Sequence, residues 1–248
     1  ESPWPDLLIT SGRKSIAAER YIKKARGGKT FTAHIQDPRV SPAQFDLVAV
    51  PEHDRMRGDN VITTLGAPNR ITEDKLDDAR EAFPQFENIG KPRVAVLIGG
   101  NSKTHSMSAD TMNALCEHLK ALDAGLMVTA SRRTGEENQT LLYEAFKGTD
   151  TYIWDGHGEN PYFAMLAWAD YILVTEDSVS MASDAATTGK PVYVIPLEGS
   201  SRKFDAFHKR LRDAGITQNF TGALETWTYE PLRDAEKIAK AIKSRMQD

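Results

Sequence analysis

Most of the features that mark a secreted, membrane-spanning or nucleic-acid-binding chain are missing from this sequence. There is one cysteine, Cys116, in 248 residues, so no disulfide framework can form within the chain. Its place in a helical pattern with Met112, Leu115, Leu119 and Leu122 marks it as a small buried residue. Apolar runs such as Val94 to Ile98 are far short of the ~20 residues needed to cross a bilayer. The N-terminus lacks the cation-then-apolar order of a signal peptide, and a cytoplasmic protein is expected. Neither sign of charge prevails: 31 Lys and Arg against 35 Asp and Glu leave a net of −4. There is thus no global basic field, and nucleic acid is not an expected partner. No His or Cys residues stand at the spacing of a zinc site, and neither a metal nor a cofactor is expected. Internal repeats and low-complexity segments are also missing. What remains, 40% hydrophobic and 27% charged residues, is an ordinary globular balance, enough for one large domain or two smaller ones.

Short β-type runs fill residues 6 to 68: "LLIT", "FTAHIQ", "FDLVAVP" and "NVITTLGAP", each stopped by polar turn residues. One helix, "SIAAERYIKKAR", stands between the first two, with Ile16, Ala17, Tyr21 and Ile22 at helical spacing. The later connections are too short for crossover helices, so this half is expected to be partly antiparallel or incomplete. A second helix, "TEDKLDDAREAF", starts at Thr72 as N-cap, with Glu73 and Asp74 in its first turn and Ile71 and Leu76 placed as a hydrophobic staple. "PQFENIGKPR" reads as a linker, which sets the expected domains at 1-88 and 92-228.

Beyond the linker, strands and helices alternate: "RVAVLIGG", "SADTMNALCEHLKAL", "GLMVTAS", "EENQTLLYEAFK", "TYIW", "PYFAMLAWA", "DYILVT", a helix after Asp177, then "PVYVIPL". This alternation predicts a doubly wound parallel sheet covered on both faces. A tail helix within 229-248, "LRDAEKIAKAIKSRM", puts Leu232, Ala235, Ile238, Ala239 and Ile242 on one stripe.

In such a sheet ligands bind beyond the carboxyl ends of the strands, which singles out four loops. "GGNSKTHSM" begins with Gly99 and Gly100, whose backbone can approach an anion closely; Asn101, Ser102 and Thr104 add short donors and Lys103 adds charge. The loop matches neither the P-loop pattern nor G-x-G-x-x-G, so no nucleoside triphosphate or nicotinamide chemistry is signalled. "SRRTGEENQ" holds Ser131, Arg132 and Arg133. Thr134 and Glu137 fit a capping box, whereas two arginines ahead of a positive helix end suit a bound anion and plain solvation equally. "WDGHGENP" crowds Asp155, His157, Glu159 and Asn160 into one loop, groups that fit a base or sugar as well as an ordinary glycine turn. In "TEDSVSMASDAATTGKP", Asp177 or Ser178 caps the helix, Gly189 follows its end and Pro191 is the stop. Capping leaves the rest of this polarity unexplained. Ser178, Ser180 and Met181 surround free N–H groups, a ready anion site, and Asp184 lies on the same helix face, placed to accept from a ribose hydroxyl.

Six blocks in order, "FDLVAVPEHD", "TLGAPNRIT", "VLIGGNSK", "SRRTGEENQ", "WDGHGENPY" and "VTEDSVSMASDAATTGKPVYV", resemble the mitochondrial-fission ELM (elongated mitochondria) family, whose bacterial members are counted as glycosyltransferases. The likeness covers most of the chain. It implies a GT-B-like α/β fold: two Rossmann-like domains facing a cleft, the C-terminal one holding a nucleotide-sugar donor and the last helix crossing back to the N-terminal one. It also implies that the block Asp177 to Asp184 takes the diphosphate and ribose, with Asp184 where an acidic residue, more often Glu, is expected. Family members begin with a further βα unit carrying a glycine loop, so the N-terminal domain of this chain is expected to be incomplete.

These readings converge on transfer of a sugar from a nucleoside-diphosphate donor to an envelope, lipid or glycan acceptor. The leaving diphosphate would be stabilised by helix-start amides, Ser178, Ser180 and Lys103 rather than by a metal. A general base is expected at the strand ends of the N-terminal domain, His53 first, then Asp54 and Asp37. Two alternatives stand beside this. One is a nucleoside-diphosphate-sugar epimerase, which needs a fuller acidic set; the other is a non-catalytic interaction protein like the plant fission members. Finally, "TSGRKSIAAERYIKKARGGK" has basic and aromatic residues that could contact the inner face of an anionic membrane peripherally, but its stripe is only moderately amphipathic and a covering helix with a solvated basic face is the expected reading.

Overall fold

In the computed structural model, which describes residues 3–247, the alternating apolar runs of the first part become strands. They are β1 (Leu7–Ser11), β2 (Phe31–Ile35), β3 (Leu47–Pro51) and β4 (Val61–Thr64), with α1 (Ile16–Ala25) between the first two. They pair in chain order, and every pairing is parallel. The expectation of antiparallel pairing is thereby corrected. A 3-10 turn at Pro42–Gln44 and an irregular loop return the chain without a helix. Asn60 Nδ2 ties these two connections by donating to the carbonyls of Pro42 and Phe45 at 2.8 and 2.9 Å. Glu19, the sole acid of α1, turns inward and is 1% exposed; its carboxylate meets Thr10 Oγ1 and His34 Nδ1. The other face of the sheet is covered by the final helix, Asp234–Gln247, whose Ile238 and Ile242 pack among Ala33, Leu47 and Ala49. Ala235 and Ala239 of the expected stripe are exposed, and Leu232 precedes the helix.

The second unit runs through α2 (Glu73–Ala82), β5 (Arg93–Ile98), β6 (His105–Ser106), α3 (Ala109–Lys120), β7 (Gly125–Ala130), α4 (Glu136–Phe146) and β8 (Tyr152–Trp154). It continues with α5 (Tyr162–Trp168), β9 (Tyr171–Thr175), α6 (Val179–Thr187), β10 (Val192–Ile195), β11 (Glu198–Gly199), α7 (Arg202–Asp213) and β12 (Thr217–Asn219). The final helix is then α8. Six strands form one parallel sheet in the order β12-β10-β9-β5-β7-β8. All of β5 is buried, as a strand covered on both faces must be. The strand order reverses between β5 and β9, so the crevice of this doubly wound sheet lies beyond their carboxyl ends.

The compact units divide at Pro68/Asn69, ahead of the linker expected at 88–92, and α8 belongs with residues 1–68. Packing accounts for the placement of residues 69–92. Phe86 stacks on Phe83 at 5.6 Å and meets Tyr152 edge-on at 4.8 Å, while Arg80 Nη2 donates to Ala167 O at 3.1 Å. Thr72 caps α2 by accepting from Lys75 N, and Ile71 and Leu76 are both buried, as the staple requires. Unexpected elements are the short antiparallel pair β6 and β11, strand β12, and α7, which buries Phe207, His208 and Leu211. Among the described residues no helix is long and apolar enough to cross a membrane.

Candidate functional site

Strand register decides which loops meet. Leu97 pairs with Val174 and Ile98 with Ala130, so Gly99, Ser131 and Glu176 leave the sheet side by side at the switch point. Gly99 N donates to Thr175 Oγ1 at 2.7 Å, and Gly100 N to Asp177 Oδ2 at 3.2 Å. Neither position has room for a side chain: a Cβ on Gly99 would stand 2.3 Å from Asp177 Oδ1, and one on Gly100, at φ +131°, 2.4 Å from Arg133 O. Close approach, foreseen as a device for binding an anion, here admits a protein carboxylate.

Asp177 is 3% exposed, and Arg133 Nη1 reaches its Oδ2 at 2.5 Å, while Oδ1 is buried with no hydrogen-bond partner. One of the two arginines is therefore paired with the protein's own charge. Arg132 and Lys103 are exposed. Three other expected donors hold the loops. Asn101 Oδ1 accepts from Met107 N, Ser102 Oγ from Thr104 N and His105 N, and Ser131 Oγ donates to Gly99 O. Thr104 Oγ1 lies 3.0 Å from His105 Nδ1. The expected capping box fails: Gly135, at φ 80°, is the N-cap of α4, and Thr134 Oγ1 donates instead to Gly99 O at 2.6 Å. That bond fixes the second loop against the first.

Ser178 caps α6, its Oγ accepting from Met181 N at 3.3 Å, which settles the choice between it and Asp177. Gly189, at φ 76°, follows the end of α6 as expected. The first-turn amides of Val179 and Ser180 remain outside that cap, and Ser180 is exposed. Asp184, two turns in, accepts from Tyr162 Oη at 3.0 Å, which joins α6 to the start of α5. Burial foremost pushes the Asp184 carboxyl up to about 6, against the opposing pull of the Tyr162 hydroxyl and the Arg70 charge. Burial, and then the same carboxylate, push the Tyr162 hydroxyl upward. Beside this pair a cavity of about 530 Å³ opens between α2 and the start of α5, lined among others by Arg70, Lys75, Asp78, Glu159, Asn160 and Phe163. Arg70 lies over the Phe163 ring at 5.2 Å.

In the third loop, Asp155 Oδ1 accepts from His157 N and Asn160 Oδ1 from Tyr162 N, both ordinary turn bonds, and His157 and Glu159 are exposed. Sequence reasoning missed Thr175, Tyr162 and Arg70. Thr175 alone carried a signal, a hydroxyl ending an apolar strand.

The candidate bases lie in the first unit. Asp37 and His53 follow β2 and β3 at the same sheet edge, for Gln36 N donates to Ala49 O and Glu52 N to Thr64 O. Asp37 accepts from Arg39 N at 2.8 Å and pairs with Arg39 Nε at 3.3 Å. Gln36 and Arg39, at φ 81° and 61°, hold left-handed backbone on either side of it. His53 and Asp54 are half-buried. Among the described residues no group of three His, Cys, Asp or Glu side chains is placed to hold a metal ion.

The chain is 32% identical over 277 residues to the mitochondrial fission protein ELM1 of Arabidopsis thaliana, an alignment that covers 99% of this chain and 65% of that protein. It is 28% identical over 289 residues to an uncharacterized protein of Rickettsia prowazekii, covering 96% and 79%. Among solved structures, the UDP-GlcNAc 2-epimerase of Methanocaldococcus jannaschii superposes with TM-score 0.55 at 12% identity, over 98% of this chain and 71% of that one. MurG of Acinetobacter baumannii gives 0.50 at 16%, over 97% and 65%. At such identities the likeness shows fold, which is GT-B-like. The family model for mitochondrial fission ELM1 matches residues 1–246, and the chain belongs to that family.

Proposed function

We propose that the protein binds a nucleoside-diphosphate sugar at the switch point of its second unit and transfers the sugar to a glycan or lipid acceptor. The observation that carries this reading is that the loops after β5, β7 and β9 leave the sheet side by side at the switch point, with Lys103 and Arg132 exposed on the first two and the uncapped amides of α6 following the third. A diphosphate there meets N–H donors aimed outward at a positive helix end. Asp184 holds Tyr162 with one oxygen and offers the other to a ribose hydroxyl. The 530 Å³ cavity beside it, with Asn160 and Glu159, takes the base or the sugar.

In the transfer, the acceptor oxygen forms a bond to the anomeric carbon as the bond from that carbon to the β-phosphate oxygen breaks. Charge then grows on the diphosphate, where the amides of Val179 and Ser180, the Ser178 and Ser180 hydroxyls and Lys103 stabilise it. The acceptor proton passes to a base from the first unit, His53 in first place, ahead of Asp54 and Asp37.

A thermal-shift panel of nucleoside diphosphates tests the binding step. The matching one, at a hundredfold excess over its Kd, adds about 2.7 kcal/mol to folding stability. Ser178→Ala with Ser180→Ala abolishes that shift. If no nucleoside diphosphate raises Tm, the reading fails. Turnover is tested separately, by release of nucleoside diphosphate only when acceptor is present, lost in His53→Ala with donor affinity kept. Conversion of the donor alone would assign an epimerase instead.

A further inference from the structure

The chain is acidic as a whole, yet residues 13–29 hold seven Lys or Arg and one acid, Glu19. That stretch is +6 in a chain of −4, so the remainder carries −10. Folding sharpens this contrast, because Glu19 is buried on His34 and Thr10. Lys23 and Arg26 are half-buried and paired to Asp46 and Asp6. The exposed charged residues of that stretch are then all cations: Arg13, Lys14, Arg20, Lys24 and Lys29.

One large hydrophobic side chain is exposed in that stretch, Tyr21 at 65%, with the Trp4 ring edge-on to it at 6.0 Å. Within α1, Ala17, Arg20, Tyr21 and Lys24 follow the three- and four-residue spacing of a single helix face. A shallow groove of about 770 Å³ runs along this face, ending at the Gly27–Gly28 turn and Gln44. Lys and Arg on the polar face beside an aromatic with one apolar and one wet end are the composition of a helix lying in a membrane interface.

We propose that α1 docks this face on an anionic lipid surface, with Arg20, Lys24 and Lys29 meeting the headgroups and Tyr21 entering the boundary between headgroups and acyl chains. The unit that holds the candidate bases is thereby brought to the membrane, whichever acceptor is used. The inference stands apart from the donor site, since none of its residues lies in the second unit.

Co-sedimentation with vesicles of phosphatidylcholine containing one third phosphatidylglycerol tests it, with pure phosphatidylcholine as the comparison. The protein partitions onto the anionic vesicles and not the neutral ones. Each cation near such a surface contributes about fivefold in partition, so Arg20→Gln with Lys24→Gln and Lys29→Gln lowers it about a hundredfold. Tyr21→Ala lowers it about tenfold, and only this loss persists at about 1 M salt, where the screening length is about 3 Å. The salt titration of the unsubstituted protein reads the same electrostatics should the triple variant not fold. Equal binding to neutral vesicles, or full partition by the folded triple variant, overturns the proposal. So does a single-stranded oligonucleotide that binds as tightly as the anionic vesicles, which would make the patch a nucleic-acid surface.

Discussion

Gly99 and Gly100 are neighbours, yet different things exclude a side chain at each. At Gly99 the obstacle is the Asp177 carboxylate; at Gly100 it is the backbone of Arg133, together with φ +131°. Gly99→Ala is therefore expected to cost about 1–3 kcal/mol in the native background and much less in an Asp177→Ala background. Gly100→Ala costs at least as much in both. Denaturant melts of the four variants, with Asp177→Ala as reference, check the contrast.

Asp184 supplies a pH signature. Its carboxyl, at about 6 when folded against 3.8 ordinarily, holds a proton that the unfolded chain has already released between about pH 4 and about 6. Stability falls as pH rises through that window and stays lowered above it, by at most about 3 kcal/mol. Asp184→Asn keeps an acceptor for Tyr162 and removes the titration. The variant is expected to be more stable than the parent near pH 7.5, with a flat profile from about 4 to 6 in urea melts, and to bind nucleoside diphosphate more weakly. At this scale the sequence disclosed which loops matter but not what each side chain does. Asn101, Ser102 and Ser131 are donors of the type a phosphate wants, and folding turned them onto the loops themselves. Only the three-dimensional register brings Arg133 to Asp177 and Tyr162 to Asp184.

Elements were legible where one local rule sufficed. The cap and staple of α2, the Ser178 cap of α6 and the buried strand β5 each follow from a few adjacent residues. The capping box at Thr134 misled because a left-handed glycine started α4 one residue later and freed the threonine for Gly99 O. Helix α5 shows how an element can depend on distant charge. Lys190 Nζ donates to Leu166 O and Ala167 O, both at 2.6 Å, at the negative end of that helix. Burial pulls the Lys190 ammonium down to about 8, so stability missing at neutral pH returns as pH climbs from about 8 toward 10.5. Lys190→Met leaves the Leu166 carbonyl without that donor, while Arg80 still serves Ala167. Near pH 7 the lost hydrogen bonds and the relieved burial of charge oppose each other, and the expected outcome is disappearance of the alkaline gain, read from melts across that range.

At the scale of the whole molecule, strand order and direction stayed out of reach of the sequence, because pairing is decided by contacts between distant segments. The first unit is the clearest instance, since β2, β3 and β4 run parallel through connections that contain no α-helix. That unit is also discontinuous. Its last element, α8, follows the entire second unit in the chain. Asp234 accepts from Leu65 N and Gly66 N at 3.2 and 2.7 Å, and Lys237 Nζ donates to Thr63 O at 2.6 Å. Ile238 and Ile242, buried on the sheet, contribute about 1.5–3 kcal/mol each by burial alone. Their sum, about 3–6 kcal/mol, reaches the lower end of the ~5–15 kcal/mol that stabilises a typical domain. Ending the chain after Leu232 is therefore expected to unfold the first unit while the second, with its own core, persists. Hydrogen exchange distinguishes the two: amides of β2 and β3 lose protection while those of β5, β7 and β9 keep it. Retained protection in β2 and β3 would show that α8 covers the sheet without holding it together.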